Sequence, residues 1–99
     1  MDITQPESLG MNSAQLARIG EHMRSSYVVP GKISGCATLV ARRGEVCYLD
    51  VAGMADVERE TPLTSDTIMR IYSMTKPIAS VALMTLFERG LFSLSDPVH

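Results

Sequence analysis

Between Ile71 and Phe87 the chain carries a single charged side chain, Lys76, and this run constrains the fold more than any other stretch. Read as a helix from about residue 73 to 89, it spreads Ile78, Ala79, Val81, Ala82, Leu83, Met84, Leu86 and Phe87 around nearly its whole circumference. Only Thr75, Lys76, Ser80, Thr85 and Glu88 are left to face anything polar. A helix that is apolar on all sides has to be buried on all sides. Both of its ends are marked. Pro77 is tolerated because it falls in the opening turn, where a missing N–H costs little. Gly90 stands at the C′ position, with Arg89 near the negative end of the helix dipole. The run is nearly long enough to span a membrane, but Lys76, Pro77 and the early hydroxyls predict a buried helix of a soluble protein.

The other elements are too few to bury it. Asn12 or Ser13 caps a predicted helix over about 13–26, with Leu16, Ile19 and Met23 as its apolar stripe and Arg18, Glu21 and Arg24 on its wet side. Pro30-Gly31 breaks that helix. Residues 35–52, rich in Val, Leu, Thr and Tyr, read as an antiparallel hairpin turning at 42–44, with Arg42, Arg43 and Glu45 solvated at its tip. From 56 to 71 no period holds, and Glu58-Arg59-Glu60, Pro62 and Ser65-Asp66 read as an irregular loop. One hairpin and one amphipathic helix cannot enclose the apolar helix. The 99 residues are therefore expected to be the N-terminal segment of a single larger domain, with the remainder of the same protein supplying the rest of the core.

Composition narrows the function classes. A net charge of −2, with no Lys/Arg cluster longer than two, predicts no nucleic-acid role. The start Met1-Asp2-Ile3-Thr4-Gln5-Pro6 has neither a basic region nor an apolar one, which predicts a cytoplasmic protein not bound to a membrane. With a hairpin turn centred near Arg43, Cys36 faces a residue around Val51 and Cys47 one around Val40, so the two are expected to be free thiols. Two isolated cysteines with His22 and His99 lack ligand spacing, so neither metal nor cofactor is predicted, and His22 reads as a surface helix residue. There is no Gly-x-Ser-x-Gly nucleophile elbow and no phosphate-binding glycine loop.

The chemistry-bearing pair is Ser73 and Lys76. Residues three apart are neighbours on a helix surface, so a helix starting near Ser73 sets a hydroxyl beside an amine. Burial penalises the ammonium form, and the positive end of the helix dipole acts in the same direction, so Lys76 can serve as a proton acceptor. At the helix start the Ser73 N–H points out of the helix, open to a developing oxyanion. The four-residue pattern is weak in isolation: with ten serines and two lysines it arises by shuffling roughly one time in five. The competing reading is a lysine snorkelling near a helix start.

The wider context is more specific. Ile71-Tyr72-Ser73-Met74-Thr75-Lys76-Pro77-Ile78, then Glu88-Arg89-Gly90 and Leu94-Ser95-Asp96-Pro97-Val98, resembles the nucleophile region of the serine β-lactamase and penicillin-binding protein superfamily. Gly35-Cys36-Ala37-Thr38-Leu39-Val40-Ala41-Arg42-Arg43-Gly44-Glu45 is similar to its first hairpin, and Gly53-Met54-Ala55-Asp56 to the exit from its second strand. Within the superfamily the likeness is nearest to the class C β-lactamase-like esterases, the family VIII carboxylesterases. The resemblance implies an α+β fold, the N-terminal part of the β-lactamase/DD-peptidase type, with an antiparallel sheet packed by helices and a buried nucleophile-bearing helix.

It also implies a carboxylesterase acting on a small ester through an acyl-enzyme on Ser73, with Lys76 in the general base and the Ser73 N–H in the oxyanion hole. A β-lactamase or D-alanyl-D-alanine carboxypeptidase with a β-lactam or peptide substrate uses the same pair, and a further alternative is that the 99 residues are a structural fragment, inactive without their complement. Such enzymes complete the site with a tyrosine element and a Lys-Thr-Gly type motif far downstream. Ser65-Asp66-Thr67 precedes the nucleophile and is not that element. Tyr27, Tyr48 and Tyr72 match no catalytic tyrosine by position, and Tyr72 reads as a packing residue.

Overall fold

The computed structural model describes residues 2–98, in two units, Met1–Thr67 and Ile68–His99. The first is organised by a hairpin, in which β1 (Gly35–Arg42) runs antiparallel to β2 (Glu45–Asp56). Arg43 and Gly44 form the turn with φ of 55° and 83°. Positive φ at both central residues is what a two-residue type I′ turn demands, and it matches the twist of the flanking strands. From Gly35↔Gly53 to Val40↔Tyr48 the register is regular; it then shifts to Ala41↔Val46 and Arg42↔Glu45. Cys47 is the extra residue of this β-bulge. Its thiol turns into the unit's small core, 2% exposed, 3.5 Å from Val40 O and 3.5 Å from Met11 Sδ. Cys36 lies opposite Ala52, one residue from the expected partner, and both thiols are free.

Two sequence expectations for this unit need correction. The stretch after residue 56 is not wholly irregular: β3 (Thr61–Pro62) pairs with β2, giving the order β1-β2-β3. Leu63 N–H donates to Gly53 O at 3.0 Å, and Pro62, which has no N–H to offer, is tolerated on an edge strand. The hairpin tip is not merely solvated either. The Arg42 guanidinium donates to Leu9 O at 2.8 Å and Gly10 O at 3.2 Å, and Glu45 accepts from Thr4 Oγ1 at 2.8 Å. The tip thereby holds the N-terminal arm, whose Thr4 N–H also reaches Val46 O.

One helix covers the sheet. In α1 (Ser13–Met23) the Asn12 side chain accepts from Gln15 N–H at 2.9 Å, and the Glu7 carboxylate takes Ser13 N–H at 2.9 Å. Those bonds satisfy two of the N–H groups that every helix start leaves open. Past Met23 the helix widens into a π turn, Arg24–Val28, closed by Val29 N–H on Arg24 O. Leu9, Leu16 and Cys47 are buried together, with Met11, Ile19, Val40 and Tyr48 packed around them. Gly20 brings α1 close to β2: its N–H donates to the Tyr48 hydroxyl at 3.0 Å, and a Cβ there would stand 2.7 Å from that oxygen. Arg24 and Asp50 form an ion pair beside it.

The second unit is a 3₁₀ turn, Tyr72–Met74, running into α2 (Thr75–Glu88). Gly90, at φ 68°, ends the helix: its N–H donates to Phe87 O at 2.8 Å, and Leu91 N–H donates to Leu86 O at 3.2 Å. This is the Schellman pattern that a glycine at C′ permits. The expected burial of α2 is not realised within these residues, because none of its side chains is buried; Ile78 and Val81 are more than half exposed. Among the described residues of this unit only the 3₁₀ turn accompanies α2, and apolar side chains find cover only where another surface packs against them.

Candidate active site

Ser73 occupies the middle of the 3₁₀ turn and Lys76 the second position of α2, one turn further along a continuous helical path. In a 3₁₀ segment residues i and i+3 eclipse one another, which sets both side chains on one side of the helix start. Both residues are exposed, and no hydrogen bond joins them among the described residues. These residues bury neither side chain, as for the rest of α2.

Met74 N–H donates to Ile71 O at 3.0 Å, and Thr75 N–H turns back on Tyr72 O. These two bonds define the turn, and the Ser73 N–H lies one position ahead of the first of them. A helix start leaves such groups unpaired and directed away from the helix, where they favour negative charge. Tyr72, read from sequence as a packing residue, is 79% exposed within these residues, and its φ is 48°. Nothing in the sequence signals that torsion, since tyrosine is a poor occupant of left-handed backbone.

The other candidates lie in the first unit. Tyr48 is engaged by Gly20, whereas the Tyr27 ring sits under Lys32 Nζ at 5.4 Å and edge-on to exposed His22 at 5.6 Å. Ser65-Asp66-Thr67 is drawn into a tight turn in which Thr64 Oγ1 donates to the Asp66 carboxylate at 2.6 Å, holding that carboxyl below its ordinary range. Among the described residues no three His, Cys, Asp or Glu side chains come together as metal ligands.

The sequence matches the β-lactamase family over residues 17–99. It is 33% identical over 93 residues to Esterase EstB of Burkholderia gladioli, an overlap of 94% of this chain and 24% of that protein. To the mitochondrial serine beta-lactamase-like protein LACTB of Homo sapiens it is 38% identical over 70 residues, 71% of this chain and 12% of the relative. A penicillin-binding protein of Bacillus subtilis (strain 168) is 27% identical over 60 residues, 61% of this chain and 13% of the relative. The chain thus spans a quarter or less of the length of these relatives. Because the match takes in most of α1, the whole sheet and the turn bearing Ser73 and Lys76, this chain belongs to the β-lactamase family.

Proposed function

We propose that the chain is the nucleophile-bearing part of a serine carboxylesterase. The observation that carries this reading is that Ser73 and Lys76 stand one turn apart at a helix start, in a chain that is similar along 94% of its length to a protein named as an esterase. In the proposed reaction Ser73 Oγ attacks the carbonyl carbon of an ester while its proton passes to the base formed by Lys76 and a tyrosine from outside these residues. The tetrahedral oxyanion is held by the Ser73 N–H. Collapse breaks the bond to the alcohol oxygen, which leaves with the proton from the base, and an acyl-Ser73 ester remains. Water, deprotonated by the same base, then releases the carboxylic acid and restores Ser73.

The remainder of the protein is proposed to cover α2, which would desolvate Lys76 and complete the pocket. Exposed Ile78, Val81, Leu83 and Leu86 and the greater length of the relatives support that division. The likeness to a penicillin-binding protein supports a second reading in which the acyl donor is a β-lactam or a D-alanyl peptide.

The test is intact mass of the full-length protein before and after a p-nitrophenyl ester, a serine-directed phosphonate and nitrocefin, with peptide mapping. An ester or phosphonate adduct on Ser73, absent in Ser73→Ala, is the expected result; turnover of nitrocefin alone favours the second reading. Lys76→Ala should slow acylation by about a hundredfold or more, the lower end of what a positioned base contributes. Acylation of that variant at the parental rate would sink the base role.

A further inference from the structure

Two irregularities of the first unit meet at one hollow. On one side the π turn Arg24–Val28 ends in Val28, and the chain passes through Pro30-Gly31 to the start of β1. On the other side β2 bulges at Ala55, since Met54 pairs with Pro62 and Asp56 with Thr61. π turns and bulges give up regular pairing and are over-represented at functional sites. Between them lies a hollow of about 490 Å³, partly open to solvent, with Val28, Ile33, Met54 and Val57 as its apolar walls and Lys32 at its rim. That volume falls in the range of small-molecule pockets, about 300–1,000 Å³.

The walls are held by backbone bonds, not by the side chains that face the space. Tyr27 O accepts the N–H groups of Lys32 at 2.9 Å and Ile33 at 3.3 Å, Gly31 N–H donates to Val28 O at 2.9 Å, and Met54 N–H donates to Ser34 O at 2.8 Å. The hollow is therefore formed before anything enters it, which lowers the ordering cost of binding. Among the described residues that line it, Lys32 carries the single charge. Its Nζ lies 5.4 Å from the centroid of the Tyr27 ring, which steadies the ammonium without neutralising it. No carboxylate among the described residues comes within ion-pairing distance of it, and Asp56, just beyond Met54 on β2, is engaged by Arg59.

We infer that this hollow binds a free aliphatic carboxylate of medium chain length, its charged end on the Lys32 ammonium and its chain along Val28, Ile33, Met54 and Val57. The charge complementarity selects that class. A multiply charged anion would set most of its charge against apolar walls with one cation to meet it, and a neutral hydrocarbon would leave the ammonium without a partner. The site lies wholly within the first unit and does not depend on the reading of Ser73 as nucleophile.

The experiment titrates sodium octanoate into the full-length protein labelled with carbon-13 at its methionine methyl groups, the Met54 signal being identified with Met54→Leu. A saturable shift of the Met54 methyl is expected, with affinity rising about fourfold per added methylene from hexanoate to octanoate. Octan-1-ol, the same chain without the charge, should bind more weakly. Lys32→Gln should weaken octanoate about two- to fivefold, the range of an exposed ion pair, and Lys32→Arg should retain the parental affinity. Val57→Glu, at a position 62% exposed, sets a like charge on the wall and should weaken octanoate by about tenfold or more. A Met54 methyl that does not move at millimolar octanoate overturns the inference, whatever else fills the hollow in the full-length protein. So does a shift that octan-1-ol reproduces with equal affinity and Lys32→Gln leaves unchanged, because the charge is then not recognised. Equal affinity for hexanoate and octanoate overturns the placement of the chain, and parallel shifts of every methionine methyl, the mark of a detergent effect, overturn the site altogether.

Discussion

Replacing Gly53 with alanine tests whether the root of the hairpin depends on a close backbone approach. Gly53 has φ 86°, and a Cβ there would overlap Ser34 O and lie 2.6 Å from Gly35 Cα and 3.0 Å from Val28 Cγ1. The first two are backbone atoms, so the clash cannot be relieved by a side chain swinging away. Holding alanine in left-handed backbone costs about 1–2 kcal/mol. Moving Ser34 aside also breaks the bond in which Met54 N–H donates to Ser34 O at 2.8 Å, a further loss of about 1 kcal/mol. The expected destabilisation is therefore about 2–3 kcal/mol. Gly31→Ala supplies the control, because Gly31 has φ 72° but nothing within 4 Å of its added Cβ. It should incur only the torsional part. Urea unfolding followed by circular dichroism gives both free energies, and hydrogen exchange of the Met54 amide reports the local opening. If the two variants agree within about 0.5 kcal/mol and Met54 stays protected in Gly53→Ala, the steric argument is wrong.

Two other expectations concern the first unit. The Glu7 carboxyl lies below its ordinary value, chiefly because Ser13 N–H donates to it. A lowered folded value means that its contribution is present above the unfolded glutamate range and is lost as pH falls through the folded value, so acidification should release the start of α1. Carbon-13 titration of Glu7 with exchange of the Ser13 amide would show the two changing together, and a Glu7 that titrates like an unstructured glutamate would refute it. For the thiols, a disulfide reagent under native conditions should modify half-buried Cys36 well before Cys47, which waits on opening of the core; single-phase labelling of both would contradict the placement of Cys47.

What could be read from the sequence follows from how local each determinant is. The Asn12 cap, the turn around Arg43-Gly44, Pro77 in the first turn of α2 and Gly90 at its end are set by residues within a few positions of one another, and each stands where that logic puts it. The grip of Arg42 on Leu9 and Gly10 joins residues more than thirty positions apart and leaves no periodic trace. The pairing of Thr61–Pro62 was equally hidden, because a two-residue strand completes only one period of alternation, too short to show a pattern. At the site, the spacing of Ser73 and Lys76 was legible, and the left-handed turn ahead of them was not: a glycine at position 72 would have signalled it, and a tyrosine does not. The apolar circumference of α2 was plain, yet none of its side chains is buried by the described residues.

The bulge at Cys47 settles a conflict of parity in the hairpin. A two-residue turn at Arg43-Gly44 couples Arg42 to Glu45, and continuing in that phase would set Val40 against Cys47 and Cys36 against Val51. The long root of the hairpin runs in the opposite phase, with Val40 against Tyr48 and Cys36 against Ala52, and it is this phase that gives Tyr48 to Gly20 and Asp50 to Arg24. Side chains alternate faces at every step, so a root locked to the turn's phase would rotate those two residues out of reach of α1. Cys47 absorbs the odd residue and lets tip and root each keep their own phase. It follows that a three-residue turn over 43–45, closing on Arg42 and Val46, would need no bulge, whereas a residue inserted between Arg43 and Gly44 with Arg42 still paired to Glu45 would leave it as indispensable as before.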